Sequence, residues 1–136
     1  LQAIEWLEQV LDRNPQDISA LNDLGYLWAD RNEHLLRAEQ MTRTAVVAEP
    51  DNSAYRDSLG WACYRLGKFE EARAELEKAR ELNETDGVIY DHLGDTYFKL
   101  GDKQQARKMW QRALEYMKAP RHQQQREEVE KKLSAI

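Results

Sequence analysis

The sequence is poor in the residues that punctuate a chain, with six glycines, three prolines and one cysteine, Cys63, among 136 residues. A single cysteine excludes an internal disulfide and leaves the redox compartment undecided. So few breakers, beside 33% charged and 41% hydrophobic residues, point to an ordered, helix-rich chain rather than a disordered one. A basic excess is also missing. The formal charge is −5, the wrong sign for displacing counterions from phosphates, so nucleic acid is not an expected partner. No apolar run approaches the ~18–20 residues that a membrane span requires. There is neither an initiator methionine nor a signal-peptide pattern, and the chain begins at Leu1 inside an apolar-periodic segment. The expectation is a fragment of a longer protein, whose upstream sequence decides between a cytoplasmic and a periplasmic or lipid-anchored location.

Patterns that carry chemistry are equally sparse. No glycine-rich loop could cradle a phosphate; every glycine except Gly87 falls at a helix-packing or capping position. His34, His92 and His122 lie far apart and have no ligand partner four residues away. Asp91, His92 and Asp95 share one helical turn and could hold a stray divalent ion. Ser58, His92 and Asp95 could be drawn as a triad across two units, but nothing supplies an oxyanion hole. Cys63 sits on a packing stripe and reads as a buried, inert thiol. The chain is therefore expected not to be an enzyme, with no catalytic residue, no cofactor and no metal.

What the sequence does have is a period. Leu24-Gly25, Leu59-Gly60 and Leu93-Gly94 recur 35 and then 34 residues apart, while Ala38, Ala72, Ala106 and Ala45, Ala79, Ala113 recur every 34. A fixed period of this length marks a helical repeat array. In the best-preserved unit Tyr90, Leu93, Tyr97 and Leu100 fall on one helical stripe, Gly94 opens a hole in it, and Gly101 provides a left-handed cap. A second helix follows with Ala106, Trp110, Ala113 and Leu114 on its inner face. The unit before it repeats this with Leu59, Gly60, Cys63, Leu66 and Gly67, then Phe69, Ala72, Leu76, Ala79 and Leu82; Asp51, Asn52 or Ser53 can cap its first helix. The first full unit runs from the cap Asp17 through Leu21, Leu24, Gly25 and Trp28 to a turn at Asn32. It resumes with Ala38, Met41, Thr42 and Ala45 and stops at Pro50, one extra residue after Asn32 accounting for the spacing of 35.

Upstream, Ala3, Leu7, Val10 and Pro15 echo Ala38, Thr42, Ala45 and Pro50. The organisation expected is one domain, 1–136. Residues 1–16 form the second helix of a truncated unit; 17–52, 53–86 and 87–119 form three full units; 120–136 form a capping helix with a narrow Val129, Leu133, Ile136 stripe.

These residues resemble the tetratricopeptide repeat family, whose pattern is aromatic-x-x-Leu-Gly-x-x-aromatic, then alanine, a large residue, alanine and proline. Tyr90, Leu93, Gly94, Tyr97, Ala106, Trp110 and Ala113 match it, as do Leu21, Leu24, Gly25, Trp28, Ala38, Ala45 and Pro50. The chain departs from it at Thr42 in the large-residue slot, at Arg56 for the opening aromatic, at Glu84 for the proline, and after Tyr116, where no proline stands until Pro120. The resemblance covers nearly the whole chain. It implies an all-α, right-handed superhelical array (an α-solenoid) of antiparallel helix pairs, with a concave face lined by the first helix of each unit. It also points to a protein–protein interaction scaffold within a larger bacterial protein.

If the Leu21, Leu24, Trp28 stripe is buried, the opposite sides of the three first helices face the groove. They offer Asn22, Tyr26 and Ala29; Asp57, Trp61 and Tyr64; and Asp91, Asp95 and Phe98, with His92 at the edge. Read as a binding surface, this is an acidic rail beside an aromatic floor, suited to a basic or aromatic peptide or partner domain. Read as packing, Trp61 and Tyr64 fill the gap between repeats and the aspartates are ordinary solvated residues. Relatives that grip the C-terminal carboxylate of chaperones carry lysines, an arginine and asparagines in the groove. Here Asn22, Tyr26, Ser58, Val88 and His92 take the corresponding places, so an acidic tail is expected to bind poorly. The alternative role is that of a spacer or self-association element, a homodimer forming through the Ile4, Leu7, Leu11 face of the first helix.

Overall fold

The computed structural model describes residues 2–136, so the expectations concerning Leu1 lie outside the described residues. Eight α-helices follow one another: α1 (Gln2–Arg13), α2 (Ile18–Asp30), α3 (Leu35–Ala48), α4 (Ser53–Arg65), α5 (Phe69–Leu82), α6 (Gly87–Lys99), α7 (Lys103–Tyr116) and α8 (Gln123–Ala135), with a 3-10 turn over Pro120–His122 before α8. Local chemistry sets their ends. The carboxylate of Asp17 accepts from the Ala20 amide, the Asn52 side chain from Tyr55, Asp86 from Val88 and Asp102 from Gln105. Each satisfies an amide that the first turn leaves without a partner. Gly67 and Gly101 end the helices before them with φ of +80° and +86°, a region that costs residues with a Cβ. The extra residue after Asn32 is absorbed differently, by two left-handed residues, Asn32 at +59° and His34 at +48°. His34 makes no side-chain cap to α3, and its ring instead lies 4.6 Å from that of Trp28.

The hairpins α2–α3, α4–α5 and α6–α7 are the most extensively packed pairs, and each outer helix also meets the first helix of the next hairpin. The inner helices α2, α4 and α6 touch in sequence and form one layer, with α3, α5 and α7 outside it. α1 closes one end on α2, and α8 packs on α7 at the other. The result is an all-α helical-repeat superhelix. Leu59, Leu76, Ile89, Tyr90, Leu93, Trp110, Met117 and Val129 share the larger core, and Leu7, Leu24, Trp28 and Met41 belong to a second core under α1.

The Leu-Gly glycines sit where two backbones come close. A Cβ on Gly60 would lie 2.6 Å from Leu76 Cγ, and one on Gly94 would enter the indole of Trp110. Gly87, which has no assignment from sequence, belongs to the same class: its Cβ would stand 2.9 Å from the Ala113 carbonyl and 2.7 Å from Met117 Cγ.

Not every stripe assignment from sequence survives. Leu82 is partly exposed rather than inward. Ala29 has no exposed surface at all; it packs in the α2–α4 seam and contributes nothing to the groove. On the outer face of α5, Arg73–Glu70 and Arg80–Glu77 pair at i, i+3, but Glu75 turns to Arg56 of α4 instead, at 2.8 Å.

Candidate functional site: the concave groove

The inner faces of α2, α4 and α6 line two cavities that meet at Tyr26. One, of about 560 Å³, lies toward α1, with Trp6, Leu27 and Val88 among its walls. The other, of about 470 Å³, runs over Trp61, Tyr64 and His92 and is walled on its far side by α8.

Trp61 is 5% exposed and lies between Tyr64 (centroids 4.7 Å, nearly parallel) and His92 (4.0 Å), while its indole N–H donates to Asp30 at 3.3 Å. The guanidinium of Arg65 covers its ring at 4.8 Å. Trp61 therefore serves mainly to pack one repeat on the next, with Tyr64 and Tyr26 presenting more of their rings to the groove. Phe98 is 41% exposed and lies beyond Tyr64, away from Tyr26 and Trp61. It stands 5.9 Å from Trp110 in an apolar hollow whose walls also include Tyr64, Asp95, Lys132 and Ile136, so the structure brings it together with Tyr64 and Asp95 but not with Asn22 and Tyr26.

The aspartates are not solvated. Asp57 accepts a hydrogen bond from Nδ1 of His92, 2.8 Å away across the repeat boundary. Asp91 accepts from Lys132 Nζ at 2.9 Å and from Gln125 at 2.9 Å; Asp95 accepts from the same Nζ at 2.7 Å and from the Trp110 indole at 3.1 Å. Burial opposes the charge on His92 and on Lys132, yet the facing carboxylates outweigh it and hold both cations above their ordinary pKa. Asp95 is pushed up by burial and then by Asp91. Burial likewise raises Tyr26, which stays a neutral phenol. The rail expected to attract a basic partner is thus occupied over half its length by the chain's own α8. Sequence reasoning treated α8 as an end cap, although Gln125, Val129 and Lys132 at i, i+4 and i+7 share a face and carry the signal. Asn22 lies at the other end, buried, its Nδ2 donating to Asp23 at 3.1 Å and its Oδ1 without a partner.

The catalytic alternatives find other partners. Ser58 Oγ donates to the Ala54 carbonyl at 3.0 Å rather than to His92. Lys132 stands between Asp91 and Asp95, where a divalent ion would have to sit. Ligand atoms of Glu39, Cys63 and Glu71 fall within 4.8 Å of one another. However, Glu39 is held by Lys68 at 2.9 Å and Arg43 at 3.1 Å, and burial together with the carboxylates pushes the Cys63 thiol up to about 12. A protonated thiol and a carboxylate already paired twice are a packing and ion-pair arrangement.

Stacked hairpins with one open groove define a helical-repeat scaffold, a class built for docking other polypeptides. Family models described as TPR repeat and Tetratricopeptide repeat match residues 60–101 and 88–119. A TPR repeat-containing protein of Pseudomonas aeruginosa is 37% identical over 89 residues, which is 65% of this chain and 15% of that protein. The chain belongs to the tetratricopeptide repeat family. Among solved structures, MamA MSR-1 aligns over 83% of this chain and 64% of its own, with 25% identity and a TM-score of 0.66. The Yersinia enterocolitica type III secretion translocator chaperone SycD shares the fold at 16% identity and a TM-score of 0.78, covering 87% and 89% of the two chains. A thermophilic TPR protein of Thermus thermophilus does so at 23% identity and a TM-score of 0.78, covering 93% and 70%.

Proposed function

We propose that this chain is a non-catalytic docking scaffold within a larger bacterial protein, its repeats 17–52, 53–86 and 87–119 stacked between α1 and α8. The concave face holds an extended peptide or a short element of a partner domain. The observation that carries this reading is the pair of open cavities that join at Tyr26 along the inner helices. Their volumes fall in the ~300–1,000 Å³ range of ligand sites, and Tyr26 supplies a rigid aromatic surface at their junction. Fluorescence anisotropy with peptides selected from a random display library tests it. Tyr26→Ala should weaken binding at least tenfold, and Leu36→Ala, on the outer face and 69% exposed, should leave it unchanged. The reverse pattern would place docking on the convex side.

The Ile4, Leu7, Leu11 face expected to form a dimer is instead packed inward on the second core, with Leu7 4% exposed. A second reading, self-association through α1, therefore rests on a different residue of that helix, Trp6, which is 62% exposed. Sedimentation equilibrium decides it. Dimers that disappear in Trp6→Ala support it, and a monomer at all concentrations rejects it.

A further inference from the structure

We infer that the cavity toward α1 is the recognition compartment, and that it takes an extended peptide carrying a bulky apolar side chain next to a lysine or arginine. This rests on the groove reading above and specifies which half of the groove selects the partner, and by what chemistry. The two halves differ in how their charges are met. In the half beside α8, Asp91 and Asp95 already hold Lys132, and the remaining carboxylates of the walls, Asp30 and Glu128, are accompanied by Arg65 and Arg121. A basic partner arriving there would have to displace the chain's own ammonium.

The half beside α1 has walls of Trp6, Leu27, Tyr26 and Val88, with Asp23, Asp57 and Asp86 among them and neither lysine nor arginine. Asp57 is met by His92, and Asp86 is committed to the first turn of α6. Asp23 is exposed, its Oδ1 accepting only from the neutral Asn22 amide. An apolar floor bounded by carboxylates, with no cation among its described residues, complements an apolar side chain flanked by a positive one. The apolar group loses water against Leu27 and Val88, while the cation lies between the Asp23 carboxylate and the exposed indole face of Trp6. Such charges act mainly on encounter and selection, so the preference should weaken as salt is raised.

Three fluorescein-labelled octapeptides, alike except for a central Leu-Lys, Leu-Glu or Ser-Lys pair, test this on the full chain. Anisotropy gives affinity, and the Trp6 indole and Val88 methyl resonances report location. The Leu-Lys peptide should bind at least tenfold tighter than the other two, shift both resonances, and lose most of that preference in Asp23→Lys. Trp6→Ala should weaken it several-fold; both positions are exposed, and circular dichroism checks that the variants stay folded. Equal affinity for the three peptides, or shifts confined to Arg65, Gln124 and Glu128, would overturn this inference and leave the groove reading standing. Shifts on neither side of Tyr26 would overturn both. Trp6 shifts that grow with protein concentration in the absence of peptide would assign the surface to a second copy of the chain, against the proposal.

Discussion

At the scale of single residues, one buried pair joins two consecutive repeats through side chains 35 positions apart. His92 and Asp57 face each other from α6 and α4, with Trp61 stacked on the imidazole and Asp91 and Asp95 close behind. Removing one member strands the other in a buried place, which typically costs about 3–5 kcal/mol, so His92→Gln and Asp57→Ala should both destabilise on that order. His92 also sets a pH dependence. Its folded-state pKa lies above the ordinary 6.5, so the stability its protonation contributes is complete below that value and is lost as pH rises through the folded pKa. Urea unfolding from pH 5.5 to 8.5 should show stability declining toward alkaline pH, and His92→Gln should flatten that slope. Gly94→Ala offers a separate test. Helix propensity alone would favour it by about 1 kcal/mol, but the new methyl enters the Trp110 ring, and overpacking of this kind costs about 1–3 kcal/mol. A net loss in melting temperature is expected.

At the scale of elements, the hairpins were readable because their signals are local and periodic. The cap residues Asp17 and Asn52, the left-handed glycines Gly67 and Gly101, and the alanine columns act within a turn or two of themselves. What stayed hidden depends on how one helix lies across another. Gly87 is needed because the Ala113 carbonyl stands where a Cβ would crowd it, and Lys132 matters because α8 turns back to the groove. Neither is a property of the segment that contains it. Ala29 shows the reverse error, since a helical wheel places it toward the groove while packing in the core that includes Trp61 and Ala62 of α4 buries it. For α8, Lys132→Met should cost about 1–3 kcal/mol, because it leaves two mostly buried carboxylates without their shared donor. The same variant should increase binding of lysine-rich peptides in the half of the groove beside α8, read by anisotropy at low salt. Unchanged binding would mean that the ammonium does not occupy a docking position.

At the scale of the whole molecule, the repeated residues are those that stack, and they fix the array without naming its partner. On the proposed reading, selectivity lies in what is not repeated: Trp6, Asn22, Asp23 and Tyr26 near α1, and Lys132 near α8. The acidic rail that the sequence suggests across α4 and α6 is largely internal wiring, because Asp57, Asp91 and Asp95 each meet a cationic or polar partner from the same chain. Beside α1 the carboxylate left open is Asp23, and on the proposed reading the expected preference for a basic or aromatic partner shifts to that end of the groove. The most direct test of the concave face as a docking surface is amide and methyl shift mapping of the full chain with its tightest-binding selected peptide. Perturbations should group on Tyr26, Val88 and the inner faces of α2, α4 and α6, with Leu36 and Val47 on the outer layer silent. Perturbations centred on Leu36, Val47 and the outer helices would instead place docking on the convex side.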